Sequence, residues 1–272
     1  MGNRLLWIGG DHPRHIYTFN TLNKQFKVNA AIVESRTKSS NRMMPYVPKH
    51  LNGKDKENFV LHFSNRLKTE KKYFKIDEYD IHSSNFLKIR SNQINSSRVK
   101  SFIETINPKI CITFGCSILN EELIKILPKM TFNIHGGLSP NYKGTATMFW
   151  PFYFLEPNNV GVTFHLLKKN VDSGDIIHQC KPKLNKTDRI HDVACKSIVK
   201  ANTDLSKLIK KILSGEKLTY FKQLSQGKTF TSSDFKPYHL RLIYDLFDDK
   251  IVKEYLEKKI KSKNLKIFNQ FS

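Results

Sequence analysis

Acidic residues are scarce in this chain: 24 Asp and Glu face 46 Lys and Arg, leaving a formal net charge of +22 over 272 residues. Such an imbalance favours polyanionic partners, among them nucleic acid, anionic lipid, nucleotides and folates. The excess, however, is lysine scattered along the whole length and mixed with Asn and Ile, the mark of a basic solvated surface. No run of clustered arginine with interleaved aromatics is present, and KKYFK and LEKKIKSK are modest substitutes, so no specific nucleic-acid partner is expected. Cysteine is equally sparse. Cys111, Cys116, Cys180 and Cys195 lack the paired short spacing of a zinc knuckle, which excludes that type of metal site and leaves buried thiols in a reducing, cytoplasmic setting as the expectation. Long apolar runs are missing too: LLWIGG near the start is too short for a signal peptide or a membrane span, and Leu6 stands where a myristoylation signal wants Ser or Thr, so no membrane insertion is expected. Finally, the glycine-rich turn GGDHPRH lacks the GxGxxG spacing that close approach to a pyrophosphate demands, and it reads as a plain strand-to-helix turn.

What is present is enough apolar material for a sizeable core, 39% of the residues with 19 phenylalanines among them, so an ordered fold is expected. Leu5 to Ile8 forms a short apolar strand, DHPRHIYTFNTLNKQF has a helical face, and VNAAIVES reads as a second strand. Together they make a β-α-β opening of the doubly wound kind. Arg36 to Asp55 reads as an irregular excursion. Lys56 to Asp77 and Phe86 to Ile106 carry longer helical patterns, which suggests a charged helical insertion, either surface scaffold or a lid over a site. KICITF is the next strand, followed by a turn at Gly115, a helix near Leu119 to Ile126 and a strand from Met130 to Ile134. Parallel strands in this order deliver Gly115 and His135 at their carboxyl ends, where α/β enzymes place their sites. Gly161 to Leu167 and IIHQCKPKL read as further strands and Asp188 to Leu213 as a helix. Tyr220 to Asp234 reads as a turn-rich linker, two more helical stretches follow, and a frayed or packed tail ends the chain.

The chemistry concentrates in FNIHGGLSPNYKG. Strand alternation puts Asn133 and His135 on one side, with Phe132 and Ile134 on the other. A carboxamide donor can polarise a carbonyl while a neighbouring imidazole manages a proton on the attacking group. Gly136 and Gly137 let the chain turn sharply, and Pro140, Tyr142 and Gly144 shape the loop beyond. Downstream, GVTFHLLKKNVDSGDII adds His165, expected to point outward beside Thr163, and two acids, Asp172 and Asp175. A carboxylate near His135 would favour imidazolium or hold its tautomer, but spacing alone leaves Asp172 and Asp175 equivalent.

NIHGGLSPNYKG followed by GVTFHLLKKNVDSGDII resembles the formyltransferases that use 10-formyltetrahydrofolate, a family spanning glycinamide ribonucleotide, methionyl-tRNA and sugar N-formyltransferases. PKICITFGCSILNEELIKILP extends the likeness to roughly Leu5 to Asn185. The resemblance implies a Rossmann-like α/β fold, a mostly parallel sheet with helices on both faces, over residues 1–205, plus a small, mainly helical C-terminal extension over 206–272. It implies Asn133, His135 and Asp172 as the catalytic set, with His165, Gly137 and Tyr142 supporting them. It places the donor, 10-formyltetrahydrofolate, along Phe114, Gly115 and Ile118, and along the Val171 to Gly174 loop; ordinary strand-end packing is the alternative reading of the first three. By this likeness the acceptor is the primary amine of a nucleotide-linked amino sugar used in surface polysaccharide assembly. The middle and C-terminal additions depart from a minimal glycinamide ribonucleotide enzyme, and 206–260 is too short and too helical for the barrel of the tRNA enzymes. A hydrolase releasing formate from the same donor is the nearest rival, and the family leaves room for a homodimer.

Overall fold

The computed structural model describes residues 4–35, 45–75, 78–81, 85–224 and 227–271. The first β-α-β unit is β1 (Leu5–Gly10), α1 (Pro13–Phe26) and β2 (Ala30–Ser35). Then come α2 (Gly53–Phe74), β3 (Phe86–Arg90), α3 (Ser97–Ile106), β4 (Ile110–Phe114), α4 (Glu121–Ile126), β5 (Met130–His135), the short β6 (Tyr142–Gly144) and α5 (Trp150–Tyr153). β7 (Val162–Leu166), β8 (Ile176–Cys180), α6 (Ile190–Leu213), β9 (Lys228–Phe230) and α7 (Ile251–Leu256) complete the order. Seven strands form one mixed sheet in the order β3-β2-β1-β4-β5-β7-β8. The first five run parallel, β7 pairs antiparallel with β5, and β8 pairs antiparallel with β7 and so runs with the first five.

Period-two alternation divides the core between the two faces of this sheet. Leu5, Trp7, Ile112, Phe132 and Phe164 pack on one face with α1, α2 and α6, whereas Leu6, Ile8, Ile32 and Leu87 pack on the other with α3 and α4. Helix ends follow local chemistry. Pro13 opens α1, the Asn120 side chain accepts the Leu123 N–H at 2.9 Å to cap α4, and Glu121 and Glu122 in its first turn complement the helix dipole.

Three expectations are corrected. The Phe86 to Ile106 stretch is not one helical pattern: Leu87 and Ile89 are buried while Lys88 and Arg90 are exposed, and β3 pairs with β2 at the sheet edge before α3 begins at Ser97. The middle region therefore supplies sheet as well as a flanking helix. The 220–234 linker contains β9, which pairs with β6 in register Gly144 to Phe230. His165 does not point outward but is buried. The expected excursion from Arg36 falls, for residues 36–44, outside the described residues.

The strand order reverses between β2 and β4 on either side of β1, which places the crevice of the sheet over the carboxyl ends of β1 and β4. Their loops come so close that a Cβ on Gly10 would stand 2.6 Å from the Gly115 carbonyl oxygen. The C-terminal extension is woven into the sheet. α6 runs unbroken through position 205, Leu240, Ile243, Ile251 and Val252 join the main core, and the tail carbonyl of Phe268 accepts the Gln179 N–H at 2.7 Å.

Candidate functional site

A cleft of about 1060 Å³ runs over the carboxyl ends of the central strands. Asn133 and His135 project from the last turn of β5, on the face opposite Phe132 and Ile134. Thr113 at the end of β4 donates to Asn133 Oδ1 at 2.8 Å, and this fixes the carboxamide with Nδ2 directed at His165 Nε2, 3.3 Å away, and Asp172 Oδ1, 3.5 Å away. Those Nδ2 contacts are long, which leaves donor capacity for a third partner.

Asp172 reaches the same point from the loop after β7, with its backbone left-handed at φ +49°. Its Oδ2 accepts the Gly144 N–H at 2.9 Å and lies 3.2 Å from His135 Nδ1. Burial would raise this carboxyl, but the charges of His135 and His165 and the Gly144 N–H outweigh it and hold the pKa at about 2. Burial pulls the His135 imidazole below its ordinary value, against the opposing pull of Asp172 and the Tyr142 carbonyl. His135 Nε2 is 2.8 Å from that carbonyl oxygen, which can only accept, so Nε2 carries a proton and Nδ1 is the basic atom. Once Nδ1 is protonated both ring nitrogens donate, one to Tyr142 and one to Asp172. The pocket is arranged to receive one proton at Nδ1.

The other residues proposed from sequence divide in two. Phe114, Gly115, Ile118 and Val171 line the cleft. Gly137, Tyr142, His165 and Gly174 do not. Gly137 turns the chain where a Cβ would stand 2.6 Å from the Tyr142 carbonyl oxygen. Tyr142 acts through that carbonyl, its hydroxyl donating to Glu156 at 2.5 Å. His165 lies beneath Asn133 and Asp172 with Nδ1 donating to the Leu166 carbonyl at 2.9 Å, and a Cβ on Gly174 would run into the same carbonyl.

Sequence reading missed Thr113, Gln223, Phe230 and the basic side chains Arg14 and Arg66. Gln223 Nε2 donates to the Asp172 carbonyl at 2.9 Å and to the Gly174 carbonyl at 2.6 Å. Phe230 stacks on Trp150 with centroids 4.6 Å apart and holds β9 against the Gly144 strand. Of these, only Arg14 sits in a segment with a visible signal, the HPRH turn, whose spacing alone reads as a plain connection.

The formyl transferase family model matches residues 31–206. The chain belongs to the formyl transferase family. Among curated relatives of this family member is the bifunctional polymyxin resistance protein ArnA of Wigglesworthia glossinidia brevipalpis, 32% identical over 96 residues, a match spanning 35% of this chain and 14% of that one. A 4-N formyltransferase from Francisella tularensis shares the fold at TM-score 0.56 and 18% identity, over 86% of this chain and 79% of the other. An N-formyltransferase from Helicobacter canadensis, solved with folinic acid and dTDP-3-aminofucose, superposes at TM-score 0.54 and 18% identity over 97% of this chain and 85% of that one. The formyl transferase fold thus extends through the C-terminal segment of this chain.

Proposed function

We propose that this formyl transferase moves a formyl group from 10-formyltetrahydrofolate to the primary amine of a nucleotide-linked amino sugar, in the cytoplasm and in the service of surface polysaccharide assembly. The reading rests above all on the convergence of Asn133, His135 and Asp172 on one point of the cleft, with a hydrogen-bond donor and a proton acceptor side by side. The Helicobacter canadensis N-formyltransferase, solved with dTDP-3-aminofucose and aligned over 97% of this chain, supports the choice of acceptor.

The cleft suits a flat, largely apolar donor. Ile118 and Val171 line it with 68% and 45% of their surface exposed, a cost in water that a covering ring system removes. Phe114, Gly115 and Ile118 on one loop and Val171 on the other would hold it. When bound, 10-formyltetrahydrofolate supplies the formyl carbon and departs as tetrahydrofolate.

The residues of the chain do the rest. As the amine nitrogen bonds to the formyl carbon, Asn133 Nδ2 donates to the carbonyl oxygen on which negative charge develops. His135 Nδ1 takes the proton the amine must lose, and the Asp172 carboxylate stabilises the resulting imidazolium. The same proton returns to the nitrogen of the departing donor as its bond to the formyl carbon breaks, so the site ends as it began. Thr113 and the Tyr142 carbonyl hold the amide and the ring in the orientations this requires.

Incubation with 10-formyltetrahydrofolate and a panel of amines tests the proposal, read by mass spectrometry for the addition of one formyl group. The panel holds nucleotide-linked amino sugars, glycinamide ribonucleotide and initiator methionyl-tRNA. Formylation of a sugar nucleotide is the expected result. Modification of only the ribonucleotide or the tRNA would replace the acceptor, and formate release without any amine would replace transfer by hydrolysis.

A further inference from the structure

The cleft extends beyond the Asn133 site into a basic lobe built by α1, α2 and α6. Arg14, Arg66, His62 and His191 line it, and Asp172 is the sole carboxylate among the described residues that line the cleft at all. Behind the lobe Glu70, 1% exposed, receives both guanidinium groups on one oxygen: Arg14 through a short contact and Arg66 Nε at 3.1 Å. Arg66 also donates to His12 Nε2 at 2.7 Å.

The charges do not balance. Burial, reinforced by the Arg66 charge, pulls His191 down to about 3, and burial with His191 and Arg66 nearby pulls His62 well below its ordinary value. Both rings are neutral at physiological pH, so two guanidinium charges, on side chains 20% and 27% exposed, share one buried carboxylate at the wall of the cleft. A buried cation without its own counter-charge is costly, and an anion entering the lobe relieves that cost. Donor capacity is also unspent. Arg14 Nε has no hydrogen-bond partner among the described residues, and Arg14 Nη1 meets only the Met148 sulfur, 3.9 Å away. His191 is 6% exposed, bonds the His62 backbone and leaves Nε2 without a partner among the described residues, a bare acceptor suited to a hydroxyl.

The lobe is close to the reacting centre. Met148 touches Arg14 with its sulfur, and its methyl would stand 3.2 Å from a Cβ on Gly136, the residue next to His135. A ligand whose amine lies at His135 can therefore place an anionic group against the guanidinium pair.

We propose that the Arg14 and Arg66 lobe is the phosphate-binding half of the acceptor site, taking the diphosphate of a nucleotide-linked substrate while His191 receives one of its hydroxyls. The inference rests on the transfer reading above for the identity of the ligand, but its geometry is independent of turnover. Planar guanidinium forks match phosphoryl oxygens two at a time, which favours arginine here over the scattered surface lysines.

Calorimetric titration of the full chain with UDP, dTDP, inorganic pyrophosphate and inorganic phosphate tests it, with folinic acid as a control for the other half of the cleft. The double substitution Arg66→Met with Glu70→Gln removes a pair of opposite charges, keeps the net charge of the lobe and leaves Arg14 as its one guanidinium fork. It should weaken UDP or dTDP by about tenfold or more while folinic acid binds as before. Glu70→Gln alone removes the internal competitor for both guanidinium groups and should tighten the nucleotide diphosphates and pyrophosphate severalfold, which keeps the test decisive should the double variant fold poorly. Binding within twofold of the parent in both variants, or no binding of any of the four probes to the parent, would overturn the lobe. Formylation of a sugar nucleotide at unchanged KM in the double variant would overturn it and leave the transfer reading standing. Diphosphate binding lost in that variant, with no amine on the panel formylated by the parent, would support the lobe and sink the transfer reading.

Discussion

Gln223 Nε2 lies 2.9 Å from the backbone carbonyl oxygen of Asp172, so a side chain from the C-terminal extension grips the loop that carries the only carboxylate lining the cleft among the described residues. The same amide holds the Gly174 carbonyl at 2.6 Å, and the two bonds fix a loop whose Asp172 residue occupies the left-handed region. Displacement of a catalytic group by about 1 Å costs on the order of 100-fold in rate. Gln223→Leu is expected to lower kcat by about 10- to 100-fold with KM for the donor little changed. It should also move the acidic limb of the rate profile, because His135 loses a well-placed neighbour. An unaltered limb together with unaltered kcat would leave Gln223 a packing residue.

The two roles assigned to β5 separate in kinetics. Asn133→Ala removes one donor to the developing oxyanion and should cost about 100- to 1000-fold in kcat. His135→Ala removes the proton acceptor and should cost about 100- to 10,000-fold. Folinic acid binding, measured by fluorescence titration, should remain near that of the parent in both. Turnover at the parental rate in either variant would dismiss its role.

In the proposed mechanism Asp172 sets the pH at which the site works. Nδ1 of His135 must be unprotonated to accept a proton, and burial holds its pKa below 6.5 while Asp172 pushes it upward. Activity of the parent should therefore fall only as pH drops below the ordinary histidine range. Asp172→Asn withdraws the upward push, so the limb should move to lower pH even as the maximal rate declines. A limb displaced to higher pH would show that Asp172 does not act on the imidazole by its charge.

A second buried acid governs stability rather than chemistry. Asp249 Oδ1 accepts the Ile190 N–H at 3.0 Å and closes the first turn of α6. Burial is the main cause of a carboxyl pKa raised to about 7, with Asp192 and Asp248 adding to it against the Ile190 N–H and Arg189. The folded state thus favours the protonated acid. Its contribution is complete below the unfolded value near 3.9 and is lost as pH rises towards 7. Asp249→Asn keeps the accepting oxygen without the charge and is expected to raise stability by about 1–2 kcal/mol at pH 8, with little gain at pH 4. Denaturant melts at the two pH values decide it, and a variant less stable at pH 8 would refute the assignment.

The parts of the molecule legible in the sequence are those in which neighbours along the chain are neighbours in space. The alternation in β1, β4 and β5 announces two buried faces. The two-residue period also requires Asn133 and His135 to emerge together at a strand end, where the glycines behind them permit a sharp turn. Where local signals conflicted, the reading failed. FLKIR is too short to separate from a helical pattern until β2 is seen beside it, and KTF is a strand only because Gly144 and its neighbours offer an edge to pair with. His165 looked outward because its strand alternates with Thr163, yet the loop bearing Asp172 folds back to cover it.

By itself, then, the sequence determined the α/β character of the chain and the adjacency of an amide and an imidazole, because backbone geometry imposes strand periods regardless of what lies across the fold. Strand period and spacing left two aspartates open, and beyond the family resemblance it is tertiary structure that brings Asp172 to His135, braces that meeting with Gln223 and Phe230, and carries Arg14 to Glu70 across 56 residues of chain. Those contacts depend on loop closure and on the packing of helices over the sheet, and no short stretch of sequence carries a period or spacing that encodes them.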